Sequence, residues 1–230
     1  MKAVILAGGY GKRLRPLTEE RPKPLVEVGG KPIIEWQVNW LKSMGVDSFI
    51  VLAGYLKERV IDHLGAGRKW GVKMAYLIEE EPLGTGGALK NAEHLLENEK
   101  RFVMVNGDII TNIDFKDVKN DSTVATMALV PLKSPFGVIK TSNSHITQFV
   151  EKPVLEDYWI NAGIYVMKSE IFSMLPEKGD IEKFTFPKLA KENQLGCAKY
   201  TDSYWRSVDS MKDLEEVSND LKEHKVYRGF

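Results

Sequence analysis

Residues 1–18 read MKAVILAGGYGKRLRPLT, and the way this run is parsed decides the fold. Lys2–Ala7 is a short apolar run closed by glycine, the pattern of a parallel strand buried on both faces. Gly8, Gly9 and Gly11 follow, with Lys12, Arg13 and Arg15 crowded behind them. A buried strand that empties into a flexible basic loop suits an anion. Glycines let backbone N–H groups approach it closely, and an arginine can clamp two phosphate oxygens at once. The competing reading is an exposed turn with solvated basic side chains. Two familiar nucleotide motifs fail here. A Walker A loop needs a hydroxyl after its Gly-Lys pair, and Gly11–Lys12 is followed by Arg13. A dinucleotide fingerprint needs a third glycine, and the chain continues with Lys12, Arg13 and Leu14.

Outward from this loop, strand and helix signals alternate. Ile34, Val38, Leu41 and Met44 predict a helix over Ile33–Met44, stopped by Gly45. Ser48–Ala53 predicts a second buried strand, Leu56–Leu64 a short helix, Val72–Ile78 a third strand and Thr85–Leu96 a helix. Arg101–Val105 predicts a fourth strand, running into Asn106–Gly107–Asp108. Such alternation gives a parallel sheet whose ligands bind at the strands' carboxyl ends. The polar motifs Gly8–Arg15, Gly84–Gly87 and Asn106–Asp108 should therefore converge on one edge. The second half changes character. Thr123–Val130, Gly137–Thr141, Ile146–Glu151 and Ile160–Met167 predict strands, and Phe184–Glu192 and Met211–Glu223 predict helices. No Pro/Gly/Ser-rich linker separates the halves, so residues 1–230 are expected to form one α/β domain with a mixed-sheet extension. No hexapeptide repeat appears near the C-terminus, so a β-helix domain is not expected.

Composition narrows the chemistry. The 230 residues are 43% hydrophobic, enough for a substantial core. Thirty-two basic side chains balance 32 acidic ones, which argues against nucleic acid or an anionic membrane as partner. The one cysteine, Cys197, allows no internal disulfide and no CxxC metal site, and is expected to be a buried structural thiol. No apolar run reaches the roughly 18 residues of a membrane span, and the N-terminal run is too short for a signal-peptide core. The expected location is cytoplasmic.

The whole of L-A-G-G-x-G-x-R-L-x-P-L-T, followed by Pro22–Lys23–Pro24, resembles the signature of sugar-1-phosphate nucleotidylyltransferases. The resemblance continues through Leu83–Gly84–Thr85–Gly86–Gly87–Ala88, Asn106–Gly107–Asp108, Phe136–Gly137–Val138, Glu151–Lys152–Pro153 and Asn161–Ala162–Gly163, to Trp205 and Val208–Asp209–Ser210. It implies a Rossmann-like nucleotide-diphospho-sugar transferase fold: a mostly parallel central sheet with helices on both faces and a mixed-sheet sugar-binding extension. Residues 1–110 would mainly bind nucleotide and residues 111–230 sugar phosphate. The implied reaction joins a nucleoside triphosphate to a sugar 1-phosphate and releases pyrophosphate.

Roles follow position by position. Leu6, Ala7, Gly8, Gly9, Gly11, Lys12 and Arg13 would form the triphosphate loop, with Gly84, Thr85 and Asn106 also at the nucleotide. Arg13, Lys23 and Asp108 would be the catalytic set. Lys23 stands between prolines that restrict the backbone around it, so its amine can be aimed. Asp108 would hold Mg²⁺ (or Mn²⁺) with a second aspartate, since hard cations take oxygen ligands. Asp209 is the choice for that partner, with Asp202 as the fallback. The family's W-x-D-x-G-T is replaced here by Trp205–Arg206–Ser207–Val208–Asp209–Ser210, closer to a cytidylyltransferase variant. Gly137, Glu151, Lys152, Asn161 and Gly163 would bind the sugar phosphate. Tyr158 and Trp159 would either pack on the sugar ring or join the core.

The base is read from Glu79 and Glu80, in the run before Pro82–Leu83–Gly84. A carboxylate accepts hydrogen bonds and does not donate. Guanine offers two adjacent donors, whereas uracil and thymine offer one donor between two acceptors. The chemistry favours GTP, and the segment resembles guanylyltransferases for mannose 1-phosphate and D-glycero-D-manno-heptose 1-phosphate. Uridylyltransferases for N-acetylmuramate 1-phosphate carry a similar run, so UTP stays open, as do CTP and dTTP. A catalytically inactive regulatory homologue and self-association into a homo-oligomer also stay open.

Overall fold

The computed structural model describes residues 1–116, 118, 122–223 and 226. The strands, in chain order, are β1 (Lys2–Ala7), β2 (Glu27–Val28), β3 (Lys31–Pro32), β4 (Ser48–Ala53), β5 (Lys73–Ile78), β6 (Phe102–Asn106), β7 (Ile109–Thr111), β8 (Ala125–Lys133), β9 (Val138–Ser142), β10 (His145–Val150), β11 (Val154–Met167), β12 (Leu195–Lys199) and β13 (Trp205–Ser207). The helices are α1 (Leu17–Glu20), α2 (Ile33–Ser43), α3 (Lys57–Leu64), α4 (Gly84–Asn91), α5 (Glu93–Leu96), α6 (Ile181–Lys191) and α7 (Met211–Lys222).

Among the described residues the main sheet has seven strands in the order β12-β8-β11-β6-β1-β4-β5. β6, β1, β4 and β5 are parallel neighbours, β11 runs antiparallel to both β6 and β8, and β12 runs parallel to β8. The two halves of the chain therefore share one hydrogen-bonded sheet, joined where β11 meets β6. No helix among the described residues is long and apolar enough to cross a membrane.

The continuous apolar strands are explained by what lies on each face. Successive side chains of a strand point to opposite sides. Ala3, Ile5, Phe49, Val51, Val103 and Val105 pack with Ile34, Val38 and Leu41 of α2 and Val60 and Leu64 of α3. Their neighbours Val4, Ile50, Leu52, Phe102 and Met104 pack with Ala88, Leu89, Ala92, Leu96 and Ile181, Phe186 and Leu189 on the other face. A strand covered on both faces has no polar position to spare, so β1, β4 and β6 read as unbroken hydrophobic runs.

Three expectations needed correction. The helix expected over Thr85–Leu96 is two helices that meet at Ala92. Cys197 is exposed and not buried, because it lies on β12, the last strand of the sheet, with a neighbour on one side only. The β9–β10 hairpin is not part of the main sheet but a separate two-stranded ribbon, with Ile139, Ile146 and Phe149 in solvent.

The glycines of Gly84–Gly87 have a packing role. The amides of Gly86 and Gly87 donate to the Gly179 carbonyl at 2.9 and 3.2 Å, and the Gly179 amide donates to the Leu83 carbonyl at 2.7 Å. A Cβ at Gly87 would sit 2.6 Å from the Glu177 carbonyl oxygen, and one at Gly86 would sit 2.9 Å from that of Gly179. The start of α4 is thus pressed against the segment leading into α6. Alanine ordinarily stabilises a helix by about 1 kcal/mol over glycine. Gly87→Ala is expected instead to destabilise the fold by about 1–3 kcal/mol, the usual cost of overpacking. Urea denaturation decides the sign, and a stabilised variant would show that the backbones are not in contact.

Candidate active site

The site is built around one turn. β6 ends at Asn106, and the chain reverses through Gly107 and Asp108 into β7. The Gly107 amide donates to the Leu6 carbonyl at 3.0 Å, and a Cβ on Gly107 would collide with that same oxygen. Glycine is required here for close approach, which seats Asp108 beside the end of β1. The Val208 amide donates to the Asp108 carbonyl at 2.9 Å, and β13 pairs antiparallel with β7. That contact brings Asp209 to Asp108, far away in sequence, and Ser210 then caps α7 with a capping box.

Lys23 stands between the two aspartates. Its Nζ donates to Asp108 Oδ2 and to Asp209 Oδ1, each at 2.8 Å. Arg13 Nη2 donates to the same Asp209 oxygen at 2.8 Å. Burial pushes the Asp209 carboxyl up, but the hydrogen bond and charge of Lys23, with the charge of Arg13, outweigh it and hold Asp209 below the ordinary carboxylate range. Pro22 is extended and Lys23–Leu25 forms a 3₁₀ turn, closed by Leu25 N–H donating to the Pro22 carbonyl at 2.8 Å. The glycine loop packs on this turn. Gly11 has φ +60°, and its missing Cβ would lie 3.2 Å from Cβ of Lys23. Thr18 Oγ1 donates to the Gly11 carbonyl at 2.9 Å.

A cavity of about 260 Å³ opens over the cluster, lined by Leu6, Ala7, Gly9, Gly11, Lys12, Arg13, Lys23, Gly107, Asp108 and Asp209 among others. Most residues expected at the triphosphate therefore share one cavity. Asp202 does not join them: it accepts a hydrogen bond from its neighbour Thr201 and is exposed. Among the described residues no group of three or more His, Cys, Asp or Glu side chains is placed to hold a metal ion. The protein offers two carboxylates, already arranged around one positive charge.

A second cavity, of about 250 Å³, lies across the glycine loop at the ends of β1, β4 and β5, where Gly8, Gly54, Tyr55, Glu79, Glu80 and Pro82 are among its walls. Glu79 Oε2 accepts from the Leu83 amide at 3.1 Å, and a Cβ on Gly8 would lie 3.2 Å from Glu79 Oε1. Burial raises the Glu79 carboxyl above its ordinary value, and the Leu83 amide offsets part of that rise. Glu80 differs. Its side chain is 84% exposed and pairs with Lys57 at 3.0 Å, so the two glutamates are not equivalent.

The residues expected at the sugar phosphate fall in two groups. Asn161 and Gly163 border the aspartate turn. Asn161 Oδ1 accepts from the Gly163 amide at 2.9 Å, and its Nδ2 donates to the Tyr165 hydroxyl at 2.7 Å. Gly163 has φ +69°, and a Cβ there would lie 2.7 Å from Asn106 Nδ2. Burial pushes the Tyr165 phenol well above its usual value, against the Asn161 hydrogen bond and with help from Glu182 and Asp108. Gly137, Glu151 and Lys152 lie at the ends of the exposed hairpin. A Cβ at Gly137 would meet the Phe149 ring and Glu151 Oε2. Lys152 has φ +47° and lines a different cavity, of about 690 Å³, with Lys133, Tyr204, Arg206 and Lys212. Tyr158 is 63% exposed, and Trp159 is covered by the Lys199 ammonium, 4.6 Å from its ring centroid.

Thr85 is placed differently from its sequence expectation. Its hydroxyl donates to Glu182 and accepts from the Ile181 amide at 2.9 Å. With the Gly86 and Gly87 amides on Gly179, the first turn of α4 faces the protein's own backbone. Sequence reasoning missed Gly54, whose Cβ would lie 3.1 Å from the Gly8 carbonyl, and Gln37 on α2. For Gln37 a signal existed: an amide stands beside Val38 on the apolar face of the predicted helix.

Comparison with known proteins supplies the family. A model described as nucleotidyl transferase matches residues 2–224. The chain is 40% identical over 226 residues to a mannose-1-phosphate guanyltransferase of Yarrowia lipolytica, covering 93% of this chain and 62% of the relative. It is 37% identical over 225 residues to mannose-1-phosphate guanylyltransferase catalytic subunit beta of Dictyostelium discoideum, at the same coverage of 93% and 62%. The chain thus spans less than two thirds of the length of these relatives. The solved structure of HddC from Yersinia pseudotuberculosis complexed with GMP-PN superposes with a TM-score of 0.76 at 27% identity, covering 96% of this chain and 99% of that one. With the family match running almost end to end, and the glycine loop, Lys23 and Asp108 meeting at the strand ends, the chain belongs to the nucleotidyl transferase family.

Proposed function

We propose that this protein transfers a nucleoside monophosphate, GMP by preference, from a nucleoside triphosphate to a mannose- or heptose-like sugar 1-phosphate, releasing pyrophosphate. The observation that carries this is the meeting of Lys23 with Asp108 and Asp209 beneath the basic glycine loop. The guanyltransferase names of the relatives and the GMP-PN in HddC support the base and the sugar series.

The sugar phosphate is already ionised, so no protein nucleophile is needed. Its oxygen attacks the α-phosphorus in line and pyrophosphate leaves. Catalysis is then alignment and charge neutralisation. Gly9 and Gly11 let backbone amides approach the triphosphate, Arg13 clamps its oxygens, and Lys23 neutralises charge that builds on the departing pyrophosphate. The family motif assigns Lys152 to the incoming phosphate, from the cavity it lines beside Arg206, and Asn161 to the sugar. Asp108 and Asp209 suit Mg²⁺ or Mn²⁺: they are hard oxygen donors, and a cation, the Lys23 ammonium, is already held between them. When bound, such an ion would neutralise phosphate oxygens near the α-phosphorus. Magnesium commonly takes only one or two protein carboxylates and fills its shell with phosphate and water, which matches a site of two aspartates. Glu79 is the base reader of the pair and Glu80 belongs to the rim, because only Glu79 is partly desolvated beside Gly8.

Four outcomes are expected. The purified protein with Mg²⁺, mannose 1-phosphate and each of GTP, UTP, CTP, dTTP and ATP in separate reactions should release pyrophosphate fastest with GTP. Dominant release with another nucleotide would overturn the base assignment, and no release with any sugar 1-phosphate would point to a regulatory homologue. Asp108→Asn keeps size and removes charge; turnover should fall by at least about a hundredfold with unchanged melting, the scale of losing an electrostatic contact to the transition state. A near wild-type rate would remove Asp108 from the chemistry. Glu79→Gln should lower kcat/KM for GTP by roughly tenfold or more, since an amide cannot accept from both guanine donors. The raised Glu79 carboxyl adds a pH test. GTP binding needs the ionised form, so KM for GTP in the wild type should rise as pH falls through that elevated value. The limb should vanish in Glu79→Gln, and a limb kept in the variant would assign the titration elsewhere.

A further inference from the structure

Gln37 is buried in α2 with 1% of its surface exposed, and the reaction outlined above assigns it nothing. Its Nε2 donates to two backbone carbonyls, Asn106 O at 2.8 Å and Ile109 O at 3.0 Å. Those are the residues on either side of Gly107–Asp108. Both donors of the amide are thereby used on one turn, from behind. The orientation of the amide is forced: two carbonyl oxygens can be met only by N–H groups. The other end of the side chain shows what that costs, because Gln37 Oε1 is buried without a hydrogen-bond partner. A hydrocarbon of equal volume would leave no orphaned acceptor at that point of the helix. Buried polar groups that break a local rule in this way concentrate at functional sites.

We infer that Gln37 is a positioning residue that holds the Asp108 turn in register with Lys23. The rest of the turn is pinned by other contacts. Gly107 N–H donates to Leu6 O, and Asp108 O accepts from Val208 N–H. Without Gln37, the carbonyls of Asn106 and Ile109 would lose the donor they share, and the side of the turn that faces α2 would be free to shift. Asp108 would then move relative to Lys23 Nζ, which it now meets at 2.8 Å. The catalytic consequence rests on the proposed function. The mechanical one does not.

The test compares the wild type with Gln37→Met, which keeps volume and cannot donate, and with Gln37→Asn, which is one methylene shorter and cannot span both carbonyls. Val38→Ala, one residue further along α2 and in the core, serves as a destabilised control. Hydrogen exchange should quicken at Gly107–Ile109 in Gln37→Met, less in Gln37→Asn, and not in Val38→Ala. With GTP and mannose 1-phosphate, kcat should fall between roughly tenfold and a hundredfold in Gln37→Met, the scale of a small misplacement of a reacting group, with KM for GTP little changed. Val38→Ala should lose melting temperature and keep kcat. Unaltered exchange at Gly107–Ile109 in both Gln37 variants would overturn the inference, as would an equal loss of kcat in Val38→Ala. If Gln37→Met does not fold, Gln37→Asn decides by the same two readouts. If the wild type releases no pyrophosphate with any nucleotide and sugar 1-phosphate, the proposed function fails, and the exchange pattern alone decides whether Gln37 holds the turn.

Discussion

The contact between Gly107 and the Leu6 carbonyl is the constraint on which the rest depends. β1 and β6 are parallel neighbours in register, Leu6 opposite Asn106, so both strands finish at the same height. The chain after β1 becomes the glycine loop and the chain after β6 becomes the aspartate turn. Because Gly107 has no side chain, the turn folds over the end of β1 without pushing the two loops apart. Shift that pairing by one residue and every side chain of β6 would change face, mispacking the helix layers on both sides and carrying Gly107 away from the Leu6 carbonyl.

Charge then does what backbone geometry began. Two carboxylates brought near one another in a partly buried place repel. Lys23 removes the conflict by bonding to both, and Arg13 adds a second positive charge at Asp209. The site is therefore a balanced, preorganised cluster rather than a set of free charges. The overall charge of the chain is zero, but its glycine loop is strongly basic.

Much of the fold was legible because of burial on both faces. β4 spans Ser48–Ala53 and β1 spans Lys2–Ala7, the limits that the apolar runs predict, since glycine and polar residues bound each run sharply. α2 was legible for its apolar stripe and the Gly45 stop, and α7 as a helix over Met211–Glu223. β12 and β13 were not. Leu195–Lys199 reads as a weak run with a glycine inside it, and Trp205–Ser207 has only three residues. Both gain their hydrogen bonds from strands far away in sequence, β8 and β7. Sequence periodicity records the local environment of a segment and not the partner that completes it.

The sequence by itself determined that a glycine-rich basic loop follows a buried strand, that Lys23 sits in a stiffened turn, and that Asp108 ends another buried strand. Those are local facts, set by side-chain pattern, proline and glycine. Only the tertiary structure decided the rest. It placed Asp209, and not Asp202, at the Lys23 cluster, because Val208 N–H reaches the Asp108 carbonyl. It separated Glu79 from Glu80, because one faces Gly8 and the other faces Lys57 and water. It turned Gly84–Gly87 toward the approach to α6, and it revealed Gln37 behind the aspartate turn. Each of these is a contact between residues distant in the chain, whose existence depends on the packing of whole elements; apart from the amide on the apolar face of α2, none leaves a mark in the spacing of its own segment.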